Sequence, residues 1–127
     1  MSKELGTGAD EAINKIAALE KRGIKVLIIK DKASKVDLKI LMKELGRLNV
    51  LSIMIEGGSS IAASALSGRI VDKVLFFVAP KIIGGKDAIP SVGGKSTNSL
   101  NKAIKLINFE SIKLGKDILI EGYPQKQ

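Results

Sequence analysis

The chain has 127 residues, 45% apolar and 27% charged, with 21 basic against 13 acidic side chains and a formal charge of +8. That balance suits one ordinary globular domain, and no apolar run nears the roughly 20 residues that cross a bilayer. Cysteine and histidine are both absent, which excludes Cys/His zinc sites, thiol nucleophiles, Ser-His-Asp triads and disulfide scaffolds, and leaves carboxylates, lysines, hydroxyls, backbone amides or a cofactor.

Residues Thr7 to Gly23 read as an amphipathic helix. Asp10 is the expected cap, Ile13, Ile16, Ala17 and Leu19 lie near one face, and Gly23 closes it in the left-handed conformation. Ile24 to Ile29 is a short β-branched run expected as a buried strand, and Lys30 to Lys35 a polar connection. Asp37 offers a second cap to a helix carrying Leu38, Leu41, Met42, Leu45 and Leu48 at helical spacing, and Asn49 ends it.

A second apolar run, Val50 to Ile55, changes abruptly to Glu56, Gly57, Gly58, Ser59 and Ser60, then to a small-residue helix through Ile61 and Leu66 closed by Gly68. A strand feeding a glycine turn and a helix can bind an anion, because backbone without Cβ is approachable and the first helical amides favour negative charge. Alone, the glycine pair equally describes a plain strand-to-helix turn, since it is not a G-x-G-x-x-G fingerprint and no P-loop lysine follows.

Val71 to Ala79 is a further apolar run. Runs buried on both faces with helices between them predict an α/β architecture with parallel strands and right-handed crossovers. Lys81 to Ser99, with Gly84, Gly85, Pro90, Gly93 and Gly94, reads as a long loop of the kind that often lies near a ligand. Ile104 to Leu114 and Asp117 to Gly122 then form two strands about Gly115 and Lys116, compatible with a type II′ hairpin.

The basic residues are mostly lysines scattered singly, there is no tryptophan, and Tyr123 is the only tyrosine. A surface that attracts small anions is expected rather than a nucleic-acid or membrane partner. Met1 to Asp10 lacks the apolar core of a signal peptide, so a cytoplasmic location is expected.

The succession from Leu41 to Gly85 resembles the C-terminal reductase domain of the bifunctional deaminase/reductase of riboflavin biosynthesis. The features shared are the leucine-rich helix, the strand ending in Glu56-Gly57-Gly58, the small-residue helix, Val71-Asp72-Lys73, and the Ala79-Pro80-Lys81-Ile82-Ile83-Gly84-Gly85 corner. The resemblance implies a dihydrofolate-reductase-like fold over residues 1–127, a single partial domain with parallel strands, a C-terminal antiparallel hairpin, and N-terminal strands missing. It further implies NADPH as cofactor, with its diphosphate against Gly57, Gly58, Ser59 and Ser60, and Gly84 near the nicotinamide end.

The implied reaction is reduction of the ribosyl group of 5-amino-6-(5-phosphoribosylamino)uracil to ribityl. Glu56 would contact the substrate and assist the proton transfer, or else cap its own turn, while Pro80 and Lys81 would lie by the substrate. A homodimer is expected. A catalytically inactive, dimeric nucleotide- or anion-binding module of the same family is the alternative, and the zinc-dependent deaminase half is excluded by the missing histidine and cysteine.

Overall fold

The computed structural model describes residues 7–29, 35–95 and 97–125. The chain divides into two compact units, Met1–Asp37 and Leu38–Gln127. In the first, α1 spans Thr7–Glu20. In the second, α2 (Leu38–Arg47) and α3 (Ser59–Ser67) precede β1 (Val74–Val78), β2 (Leu106–Leu114) and β3 (Asp117–Pro124). The polar connection expected over residues 30–35 lies, but for Lys35, outside the described residues.

Among the described residues the three α-helices end in the same way, with glycine in the left-handed place of α1 alone. Gly23, Asn49 and Arg69 take φ of +78°, +61° and +56°. In each case the next amide reaches back across the last turn: Ile24 to the Leu19 carbonyl at 3.1 Å, Val50 to Leu45 at 3.1 Å, and Ile70 to Ala65 at 3.3 Å. This is the Schellman arrangement, which satisfies carbonyls that have no partner inside the helix. Gly68, expected to close α3, is its C-cap, at a helical φ of −70°, and the left-handed residue is the next one, Arg69. The lack of a side chain on Gly68 serves packing, because a Cβ there would stand 3.0 Å from the Ser64 carbonyl oxygen. Asp10 lies inside the first turn of α1 rather than capping it, while Asp37 stands directly before α2 as expected. The amphipathic reading of α2 holds for Leu38, Leu41, Met42 and Leu45, which are half-buried while Lys39 and Lys43 are exposed, but not for Leu48, which lies past the end of the helix and is exposed.

The described sheet has three strands in the order β1-β3-β2 and is antiparallel throughout. The hairpin of β2 and β3 turns at Gly115-Lys116 as expected. Gly115 takes φ +61° and Lys116 is not left-handed, the signature of a type II′ turn. Val74–Val78, expected among parallel strands, pairs antiparallel with Ile118–Gly122. An apolar run buried on both faces reads alike in either direction, so the pattern does not encode the orientation of its neighbour. Ile24–Ile29 and Val50–Ile55 carry no ladder among the described residues. Apart from the capping bonds of Ile24 and Val50, no backbone hydrogen bond reaches them there. A strand needs a neighbour to satisfy its amides, and within Val50–Ile55 Leu51 is 99% exposed and Met54 71%, while Ile55 is half-buried.

Strand β2 bulges. Ile107 faces Tyr123 and Glu110 faces Glu121, so Asn108 and Phe109 together oppose the single residue Gly122. Asn108 absorbs the bend at φ +49°. Gly122 is buried beneath the bulge, and a Cβ on it would meet the Cβ atoms of Phe109 and Leu106 at 3.1 and 3.2 Å. Gly122→Val is expected to destabilise the sheet by about 1–3 kcal/mol through overpacking. A fall in the urea unfolding midpoint measures this, and an unchanged midpoint would contradict the packing described.

Residues opposite one another in this register share a face. One face carries Leu75, Phe77, Ile112, Leu114 and Leu119, with Asp117 opposite Leu114 at one end and Lys73, Glu110, Glu121 and Tyr123 towards the other. Lys73 Nζ lies 2.9 Å from a Glu121 carboxylate oxygen and 5.6 Å from the centre of the Tyr123 ring. The hydrogen bond to Glu121 holds the lysine pKa above its ordinary value, with partial desolvation acting the other way. A raised folded-state pKa means that the pair's contribution is fully present below the ordinary lysine value, near 10.4, and is lost as pH climbs through the raised one. Lys73→Met is therefore expected to lower the urea midpoint at pH 8 and to lower it less in strong alkali. A deficit independent of pH would show that the ammonium group is not responsible.

Candidate functional site

The turn between Val50–Ile55 and α3 is built by its two glycines in different ways. Gly57 takes φ +145°, a conformation that side-chain-bearing residues rarely adopt. Gly58 is the N-cap of α3 in an ordinary extended conformation, φ −68° and ψ 160°, and a Cβ placed on it would meet nothing within 4 Å. The first glycine is thus required by the bend, whereas the second leaves open space beside the start of the helix. Side-chain capping of α3 is absent. Helix amides without an internal partner turn their N–H groups and the positive end of the dipole towards that space.

Among the expected site residues, Glu56, Gly57, Gly58, Ser59 and Ser60 come together as one continuous turn and first helical turn. Glu56 is exposed, and its carboxylate makes no hydrogen bond or ion pair among the described residues. The reading in which Glu56 caps its own turn is therefore not realised. Ser60 is exposed and its carbonyl accepts from the Ser64 hydroxyl at 2.9 Å, while Ser59 is half-buried.

Pro80, Lys81 and Gly84 lie in the exposed segment after β1. The Lys81 amide donates to the Ala79 carbonyl at 2.8 Å, a tight bend centred on Pro80. Gly84 and Gly85 are both left-handed, at φ +66° and +85°, with Ile82 and Ile83 almost fully exposed between the two bends. No hydrogen bond joins this corner to the Glu56–Ser60 turn among the described residues.

The later part of the same loop does reach the turn, through residues that sequence reasoning did not assign to the site. The Gly93 amide donates to the Ser59 carbonyl at 3.0 Å. A Cβ on Gly93 would stand 2.9 Å from Ser59 Oγ, and one on Gly94, itself at φ +87°, 3.1 Å from the Ala63 Cβ. The available signal was a second Gly-Gly pair in a long loop. It announces close backbone approach without naming the surface approached.

Among the described residues no group of three or more carboxylates converges as a metal site would need, and no helix is long and apolar enough to cross a membrane. The turn thus presents an uncapped helix start bordered by one exposed carboxylate.

An α/β domain with a glycine-built, uncapped helix start at the end of an apolar run is the class that fold and site define. Residues 5–120 match the family described as the RibD C-terminal domain, and the chain belongs to that family. It is 36% identical over 117 residues to the riboflavin biosynthesis protein RibD of Actinobacillus pleuropneumoniae, covering 92% of this chain and 31% of the relative. It is 33% identical to the 2,5-diamino-6-ribosylamino-4(3H)-pyrimidinone 5′-phosphate reductase of Methanothermobacter thermautotrophicus, covering 92% of this chain and 53% of that protein. The chain thus spans about a third to a half of the length of these relatives.

Solved structures agree on the fold. A RibD of Acinetobacter baumannii superposes with a TM-score of 0.74 at 21% identity, over 86% of this chain and 29% of that one. A pyrimidine reductase-like protein of Corynebacterium diphtheriae gives 0.70 at 25% identity, over 96% of this chain and 48% of that one.

Proposed function

We propose that this chain is the nucleotide-binding part of a riboflavin-biosynthesis pyrimidine reductase, which reduces the ribosyl group of 5-amino-6-(5-phosphoribosylamino)uracil to ribityl with NADPH. The single observation that carries the reading is the uncapped, glycine-opened start of α3, set within a chain of the RibD C-terminal domain family. One relative bears the name of a reductase of this class.

The residues present fit a diphosphate. Open space flanks Gly58, and exposed Ser60 adds a hydroxyl beside the first amides of the helix. A helix terminus alone supplies about 0.3–1 kcal/mol, up to ~2 when partly buried, so most of the affinity must come from the rest of the dinucleotide. When bound, the reduced nicotinamide supplies the hydride. The protein's own residues hold and orient: Gly57, Gly58, Ser59 and Ser60 take the diphosphate, and Gly84 borders the nicotinamide end. Pro80 and Lys81 border the phosphorylated pyrimidine. Glu56 holds ribose-type hydroxyls and relays the proton that the reduced oxygen takes up.

In this reading the fold is dihydrofolate-reductase-like, with Ile24–Ile29 and Val50–Ile55 each a strand, and residues 1–127 are one partial domain, as a family match running across both units supports. A second copy of the chain is the proposed protein partner. Its support is the sheet face on which Phe77, 68% exposed, stands opposite Leu119, with Leu75 on the same strand and Ile112 beyond Leu119. Sedimentation velocity at micromolar concentration is expected to show a dimer, and a monomer would contradict it.

The decisive assay follows NADPH absorbance with two substrates offered separately. One is the uracil compound above, and the other is the 2,5-diamino pyrimidinone phosphate for which a relative is named; they differ in bearing oxygen or an amino group at one ring position. Oxidation of NADPH with the uracil compound is expected. Binding without oxidation of either would favour the inactive nucleotide-binding module, and absence of binding at millimolar NADPH would overturn the cofactor assignment.

A further inference from the structure

We infer that Gly93 and Gly94 are positioning residues of the nucleotide site: they strap the loop after β1 onto the first turn of α3 and so define the side from which a dinucleotide diphosphate reaches that turn. The inference rests on the nucleotide-binding function proposed above.

Three contacts carry it. Gly93 donates its amide to the Ser59 carbonyl at 3.0 Å. The missing Cβ of Gly93 leaves room for Ser59, whose Oγ, Cβ and carbonyl carbon would lie 2.9, 3.2 and 3.3 Å from it. Gly94, left-handed at φ +87°, brings the loop against Ala63, one helical turn further on. Two consecutive glycines are therefore needed for one close approach, the first for space and the second for both space and conformation.

This seating divides the labour of the two serines. Ser59 gives its carbonyl to the loop and turns its hydroxyl onto Gly93, so its backbone amide and the hydroxyl of exposed Ser60 are the groups that serve the diphosphate. The strap covers the Ser59–Ala63 side of α3, and the ligand approaches from the Gly58 side, where space is open.

Gly93→Ala tests this in the full chain. Oγ could rotate away, but the Ser59 Cβ and backbone carbon would stand 3.2 and 3.3 Å from the added methyl, so the loop must shift by a few tenths of an ångström from its seat on the helix. NADPH fluorescence titration is expected to show a dissociation constant raised about tenfold or more, as misplacement of a binding group produces. Trypsin is expected to cut sooner at Lys86 and Lys95 within the loop, while the urea midpoint, set by the sheet, changes little. Ser59→Gly combined with Gly93→Ala removes two of the three clashes and is expected to restore both affinity and trypsin resistance relative to Gly93→Ala alone. Should Gly93→Ala fail to fold, Gly94→Ala carries the same expectation.

Released loops with unaltered NADPH affinity would overturn the inference and leave the nucleotide assignment standing. A parent chain that binds no NADPH would overturn both.

Discussion

Replacing Gly58 by valine is expected to raise the NADPH dissociation constant at least tenfold, about 1.4 kcal/mol, while leaving the chain folded. The backbone of Gly58 is extended, and no atom stands within 4 Å of the position a Cβ would take. Valine is therefore tolerated by the protein itself, at a cost of about 1 kcal/mol for a poorer N-cap. What it fills is the space in front of the helix amides. Gly57→Ala is the informative contrast: at φ +145° the strain falls on the backbone, costing about 1–3 kcal/mol of stability before any ligand is added. Fluorescence titration beside urea unfolding separates the two. Equal affinity in Gly58→Val and the parent would remove the turn from the nucleotide site.

Glu56→Gln is expected to lower kcat by roughly 10²–10⁴-fold, the usual range for a lost proton-transfer group, with little change in NADPH affinity. Glutamine keeps the shape and hydrogen-bonding reach of the side chain but removes its ability to exchange a proton. The carboxylate makes no hydrogen bond or ion pair among the described residues, and it is exposed. Folding should therefore be indifferent to the change. Steady-state kinetics with saturating NADPH measures it, and a kcat within a few-fold of the parent would reduce Glu56 to a substrate contact or less.

How far these features were legible from the residues depends on the kind of interaction that fixes each. Local chemistry was readable: Gly23 ends α1, Asn49 ends α2, and Gly115 opens the hairpin, because each position demands a left-handed residue and carries one that tolerates it. Gly68 likewise closes α3 as its C-cap, although the left-handed place falls on Arg69 beside it. Non-local pairing was less readable. Val74–Val78 was recognisable as a strand, yet its antiparallel pairing is decided by β3, far along the chain, with Val78 opposite Ile118 and Val74 opposite Gly122. The bulge at Asn108 and Phe109 is visible only once Gly122 lies opposite it. At the site, Glu56 to Ser60 came out as one turn because the residues are contiguous. The Gly93-Gly94 strap could not be placed, because glycine announces proximity without its object. For Ile24–Ile29 and Val50–Ile55, strand-like composition and the absence of a ladder among the described residues are compatible: β propensity largely reflects fit to neighbours, and a run without them forms no ladder.

The most direct test of the proposed nucleotide site is amide NMR of the ¹⁵N-labelled full chain titrated with NADPH. The amides of Gly57, Gly58, Ser59 and Ser60 should show the largest shift changes and saturate with the same dissociation constant as the fluorescence. Changes confined to other regions, or none at millimolar NADPH, would contradict the placement of a dinucleotide diphosphate on the start of α3.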